Sequence, residues 1–158
     1  MKIGIISDTH DNLHAIAKAV KFFNEEKVEI VLHAGDFVAP FTLMMLKELT
    51  CKMVGVFGNN DGDKVMLKKM SDGNIFNSPH EINLGDKRVI MSHELPLDAL
   101  VASQHYDLIV YGHTHNVDTR VIDRTMVVNP GECGAWLSGN ATIAICDLAE
   151  KTTDIITL

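Results

Sequence analysis

In the first half of the chain, short compact apolar runs alternate with stretches whose apolar residues recur at helical spacing. Residues 3–6 form the first run. Leu13, Ile16, Ala17, Val20 and Phe23 then fall on one helical face, with Asp11 as the candidate N-cap. Residues 30–32 and 53–57 read as buried strands. A helix opened by Pro40 lies between them at 40–49, and a short one follows at 63–70. This β-α-β-α-β order predicts parallel strands joined by right-handed crossovers. The second half changes character. Residues 82–84 and 88–91 flank Gly85-Asp86-Lys87, a hairpin signal, and 97–105 reads as a helix. Strands follow at 108–111, 119–122, 126–128, 141–146 and 153–156 with short links. Early parallel pairing and late meandering strands predict two packed sheets with helices outside. No repeat and no Pro/Gly/Ser-rich linker divides the chain, so one domain over 1–158 is expected.

Composition narrows the function classes. The chain has 158 residues, 46% of them hydrophobic, enough for one core. No apolar run reaches the length of a membrane span, and the N-terminal apolar run stops at Asp8, too short for a secretory signal. A cytoplasmic protein is expected. Lys and Arg number 14 against 21 Asp and Glu, a net charge of −7. That balance argues against an extended nucleic-acid surface, so an anionic substrate must be attracted locally, as by a metal ion. Cys51, Cys133 and Cys146 are odd in number and far apart, which reads as reduced structural thiols.

The chemistry sits immediately after the strands. Asp8 and His10 follow the first run, Gly35-Asp36 the second, and Gly58-Asn59-Asn60-Asp61 the third. His93 follows 88–91, and Gly112-His113-Thr114-His115 follows 108–111. The C-terminal edge of an α/β sheet is where ligands bind. Four imidazoles (His10, His93, His113, His115) and three oxygen donors (Asp8, Asp36, Asn59) without thiolate suit Mn, Fe, Co, Ni or Zn. Seven candidates exceed what one catalytic zinc takes but can serve two ions if a carboxylate bridges. Each group alone is more often a turn, a cap or a surface histidine; the joint pattern carries the signal. His14, His33, His80 and His105 fall outside it and read as structural.

Asp8-x-His10, Gly35-Asp36, Gly58-Asn59, His93 and Gly112-His113-Thr114-His115 together resemble the calcineurin-like metallophosphoesterase superfamily, in its small branch of bacterial and archaeal phosphodiesterases. The resemblance implies an α/β fold, a four-layer αββα sandwich of two mixed sheets flanked by helices. The dinuclear site would lie at the C-terminal strand edge. It also implies that Asp8, His10, Asp36 and His115 hold one ion, and that Asp36, Asn59, His93 and His113 hold the other, Asp36 bridging. Two divalent transition-metal ions per chain are expected, Mn²⁺ or Ni²⁺ first, with Zn²⁺, Fe²⁺ or Co²⁺ permitted. Asn129-Pro130-Gly131 matches a late turn of the family and reads as a plain turn.

The expected reaction is phosphodiester hydrolysis by in-line attack of a metal-bridging hydroxide, with Asp36, Asn59 and Asn60 at the catalytic centre. Many superfamily members carry histidine after the ligand Asn, where it assists the leaving group. Here Asn60 stands there, which suits diesters better than monoesters. Glu94 follows His93 where glycine is common and reads as a solvated loop residue. The expected partner is a small phosphodiester, with no membrane; a homo-oligomer is left open. Specificity is expected from loops 94–99 and 133–139. The alternative is a catalytically weak interaction scaffold, like the retromer-subunit relatives. Their ligand set is altered, whereas all seven positions here carry competent ligands.

Overall fold

The apolar runs of the first half assemble side by side, because strands buried on both faces satisfy their backbone only in a sheet interior. A computed structural model describes residues 1–94 and 97–158. Strands β1 (Lys2–Ile6), β2 (Ile30–His33), β3 (Lys52–Val56) and β4 (Ile75–Phe76) are parallel, with Ile3 opposite Ile30 and Ile30 opposite Lys52. Two late strands, β10 (Thr142–Asp147) and β11 (Thr152–Thr157), add antiparallel on the β1 side. The second sheet contains β5 (His80–Leu84), β6 (Lys87–Met91), β7 (Leu108–Val110), β8 (Val117–Ile122) and β9 (Thr125–Pro130). Its order is β5-β6-β7-β9-β8, with β6, β7 and β9 parallel and the outer strands antiparallel. Both sheets are therefore mixed, as expected.

The sheets pack face to face through Ile5, Leu32, Val54, Met91, Val110, Val128 and Ala144. Helices α1 (Leu13–Glu25), α2 (Phe41–Leu46) and α3 (Lys64–Met70) cover the first sheet. Helix α4 (Leu97–Ala102) lays Leu97, Leu100 and Val101 on Ile90, Ile109 and Val127 of the second. The result is four layers. Parallel strands share an exit edge, so the loops after β1, β2, β3, β6 and β7 converge there.

Several boundaries differ from the sequence expectation. Asn12, not Asp11, caps α1 by accepting the Ala15 N–H. The Asp11 carboxylate instead takes the Thr42 hydroxyl at 2.8 Å and ties α1 to α2. Helix α2 ends at Leu46, not 49. The chain tightens there to an i→i+3 bond from Leu49 to Leu46, while Leu49 still packs on the core and so continues the apolar period. Helix α4 ends at Ala102, not 105, because Gln104 adopts a left-handed backbone. The two-residue β4 is additional to the expected strands, and β8 and β9 form a longer hairpin than expected. Cys133 and Cys146 are buried free thiols and Cys51 is a half-buried one. Among the described residues, no helix is long and apolar enough to cross a membrane.

Candidate metal centre

The β1 exit supplies the deepest group. Asp8 is fully buried, and its Oδ2 accepts the Ser7 hydroxyl at 2.6 Å and the His113 backbone N–H at 3.2 Å. Its other oxygen, Oδ1, has no hydrogen-bond partner. It lies 3.8 Å from His10 Nε2 and 3.4 Å from His115 Nε2. His10 Nε2 is likewise buried and unpartnered. Buried polar atoms are nearly always satisfied, so polar atoms converging without a hydrogen-bond partner need an explanation. Two ligands each about 2.0–2.2 Å from a shared cation stand roughly 3–4 Å apart. A cation among Asp8, His10 and His115 fits these spacings.

Asp36, after β2, stands beside this group. Its Oδ2 is 3.6 Å from His10 Nε2 and 3.3 Å from His93 Nε2. Asn60 clamps it, donating its backbone N–H to Oδ1 at 2.9 Å and its side-chain amide to Oδ2 at 2.7 Å. Burial opposes ionisation of Asp36, but these bonds and His93 outweigh it and hold the carboxyl well below the usual range. For Asp8 the balance reverses: burial dominates and raises its pKa. His93 Nδ1 is 2.9 Å from the Ala34 carbonyl, which fixes Nδ1 as the protonated nitrogen and turns Nε2 toward Asp36 and Asn59. Burial would lower the His93 pKa, yet Asp36 raises it above the ordinary value. Asn59 Oδ1 lies 2.9 Å from His93 Nε2 and 3.0 Å from His113 Nδ1.

All seven candidates therefore meet in one cluster. Two tight ligand groups stand out, Asp8-His10-His115 and Asp8-Asp36-His93. Asp8 is common to both, whereas Asp36 touches a histidine of each. Backbone conformation marks the same residues. Asp8, His10, Asp36, His113 and His115 all have positive φ, between 41° and 66°. Such backbone costs free energy outside glycine and concentrates at functional sites. Close packing also explains two glycines. A Cβ on Gly58 would run into the Asp36 carboxylate, and one on Gly112 into the Ser7 hydroxyl.

The sequence profile of the calcineurin-like phosphoesterase superfamily domain matches residues 1–151. The chain belongs to that superfamily. A phosphodiesterase of Methanocaldococcus jannaschii is 39% identical, covering 96% of this chain and 95% of that protein. The solved structure of an archaeal phosphodiesterase superposes with a TM-score of 0.93 at 38% identity, and the match covers all of both chains. Vps29 of Chaetomium thermophilum, at 15% identity over 100% of this chain and 96% of its own, reaches a TM-score of 0.74 and shares the fold alone.

At this cluster, three supporting residues, Asp61, Glu132 and Asn129, escaped the sequence reading. Asp61 is buried and accepts the Gly58 N–H at 2.7 Å and the Val38 N–H at 2.8 Å. Glu132 is buried beside His115, with Oε1 3.4 Å from Nδ1 but no hydrogen bond formed. His33, read as structural, stacks on Phe37 and is hydrogen-bonded to Thr9 Oγ1 and the Gly35 N–H. Burial pushes its pKa down to about 3, so it stays neutral. Asn129 is no plain turn residue: its amide donates to the Gly112 carbonyl and Thr114 Oγ1, bracing the His113-Thr114-His115 loop. The Asn129-Pro130-Gly131 string was the one available signal for it. Glu94 is exposed as expected, with Oε1 4.0 Å from His113 Nε2. Loop 94–99 lies partly outside the described residues. His14 and His105 are exposed and His80 stacks on Phe76, all three outside the cluster.

Proposed function

We propose that this protein hydrolyses phosphodiesters with two divalent metal ions held by Asp8, His10, Asp36 and His115 and by Asp36, Asn59, His93 and His113. Mn²⁺ or Ni²⁺ are the expected occupants; the N/O donor set suits either. The observation that carries the reading is the pair of buried polar atoms without a hydrogen-bond partner, Asp8 Oδ1 and His10 Nε2, 3.8 Å apart. The diesterase assignment draws on the 39% identical archaeal phosphodiesterase. Bound metals would supply charge neutralisation at the phosphate oxygens and a water acidic enough to ionise near neutral pH.

The chain's own groups preorganise that site. Ser7 and the His113 N–H occupy one Asp8 oxygen and leave the other to face His10 and His115. Ala34 fixes the His93 tautomer, and Asn60 fixes Asp36. Asn60 cannot act as a general acid, so the leaving oxygen departs without a proton from this position. Good leaving groups are therefore favoured. A scaffold role has only fold-level likeness to Vps29 behind it, and keeping so dense a buried polar cluster is costly unless it binds something.

The test is turnover of bis(p-nitrophenyl) phosphate by metal-stripped protein before and after addition of Mn²⁺ or Ni²⁺. Turnover only after metal addition supports the reading. Activity in the stripped protein, or none in the reloaded one, overturns it.

A further inference from the structure

Loop 133–139 carries the chain's single tryptophan to the rim of the metal centre. The loop is built rather than loose. The buried Glu132 carboxylate collects the backbone N–H groups of Trp136 and Ser138, both at 2.8 Å, and of Leu137 at 3.1 Å. Gly134 donates its N–H to the Asp8 carbonyl, and a Cβ there would press on the Asp8 and Thr9 carbonyls. The indole N–H donates to the His10 carbonyl at 3.0 Å. The ring is thus fastened by its polar edge to the turn that bears Asp8 and His10. Yet Trp136 remains 66% exposed, and Leu137 beside it 81%. A large aromatic side chain with its one donor satisfied, its loop fixed and its surface open loses little entropy when a flat partner stacks on it.

Resting on the diesterase reading above, we propose that Trp136 is a specificity-determining residue, a stacking platform for a planar aromatic substituent, a nucleobase or aryl ring, on the phosphodiester. Base–aromatic stacking of this kind contributes roughly a 5- to 150-fold preference.

Two measurements test this. Metal-loaded wild-type protein is titrated with thymidine 5′-phosphate and, as a control without a ring, methyl phosphate, following the emission of the sole tryptophan. Saturable quenching by the thymidine phosphate alone is expected. Separately, kcat/KM is measured for the p-nitrophenyl esters of thymidine 5′-phosphate and of methyl phosphate, which share a leaving group. The preference for the thymidine ester should fall about tenfold in Trp136→Ala and largely survive in Trp136→Phe. The ratio cancels any damage to the metal centre that both esters feel.

Equal preference in wild type and Trp136→Ala, with emission unmoved by thymidine phosphate, overturns the platform while leaving diesterase activity standing. Emission that shifts with protein concentration and not with ligand also overturns it, in favour of a second copy of the chain on this rim. If neither ester turns over, the diesterase reading fails, and saturable quenching still supports the platform.

Discussion

Asp61→Asn tests how the loops of the metal centre are joined. Asp61 bridges the turn after β3 and the segment after Asp36, through the Gly58 and Val38 N–H groups. Val38 is held at φ 80°, a strained conformation for a β-branched residue. Asparagine keeps one acceptor and presents an NH₂ to the other donor. The loss is one bond to a charged acceptor, about 1.5–3 kcal/mol, and a buried N–H is left unsatisfied at about 1–3 kcal/mol more. Against this, burial already raises the Asp61 pKa, so the neutral amide recovers part of the desolvation cost. A net loss of about 1–3 kcal/mol is expected. For a chain of this size that lowers Tm by roughly 3–10 °C. Calorimetry on metal-free protein isolates this effect from ion binding. Titration with Mn²⁺ should then show weakened affinity, because the Asp36 and Asn59 loops lose their common tie. Unchanged Tm together with unchanged Mn²⁺ affinity in Asp61→Asn would refute the argument.

Four other outcomes follow from the same geometry. Asp36→Ala should lose metal and drop turnover by more than the roughly 10–100-fold typical of an outer partner, whereas His105→Ala keeps both; two ions per chain and near-normal rates in Asp36→Ala would remove it as a bridge. Chelation should lower Tm by roughly 5–10 °C relative to protein held at a hundredfold excess over Kd, about 2.7 kcal/mol of linkage; an unmoved transition contradicts folded-state metal binding. Burial raises the Cys146 thiol from 9.0 to about 11, so the unfolded chain loses this proton first as pH rises through that window. Stability from Cys146 is complete below pH 9.0 and falls by about 1.4 kcal/mol per pH unit up to about 11, so the gap between wild type and Cys146→Ala should narrow there in chemical denaturation; a constant gap contradicts it. Asn60→His gives up the 2.7 Å amide bond to Asp36 but introduces a titratable ring, and should help alkyl diesters more than aryl ones, by less than about 10²–10⁴-fold; parallel dependence on leaving-group pKa in the two proteins would show that position 60 is not the acid position.

What was legible in the sequence was whatever local pattern determines. The apolar runs located β1, β2, β3, β6, β7 and β10, and the residues following five strands located the cluster. What was not legible depends on partners distant in the chain. Asp11 and Asn12 are both acceptable caps; the choice is made by Thr42, which engages Asp11 from the next helix. Asp61 acquires its role only when Val38 arrives from another loop. Asn129 acquires its own only beside Gly112 and Thr114. Glu132 is the exception, since the backbone N–H groups it collects lie four to six residues ahead, within reach of a local reading.

The ambiguity of single motifs has a physical origin. A sharp turn at a strand exit needs left-handed backbone, which Asp, Asn and His tolerate better than other non-glycine residues. Those residue types are also the N/O ligands of divalent metals. One Asp or His after one strand therefore satisfies the turn alone, and nothing about it distinguishes a ligand. Asp123 shows this at the β8–β9 turn: its φ is 52°, and it lies outside both ligand groups. The distinction comes from convergence. At Asp8, His10, Asp36, His113 and His115 the left-handed backbone recurs around a shared centre, and Asp8 Oδ1 and His10 Nε2 stand there buried with no protein partner, while a third such atom, His115 Nδ1, faces Glu132. Turn geometry accounts for the backbone but not for those atoms. A bound cation accounts for both, because it supplies the missing partner and stabilises conformations that the folded chain must otherwise hold at a cost.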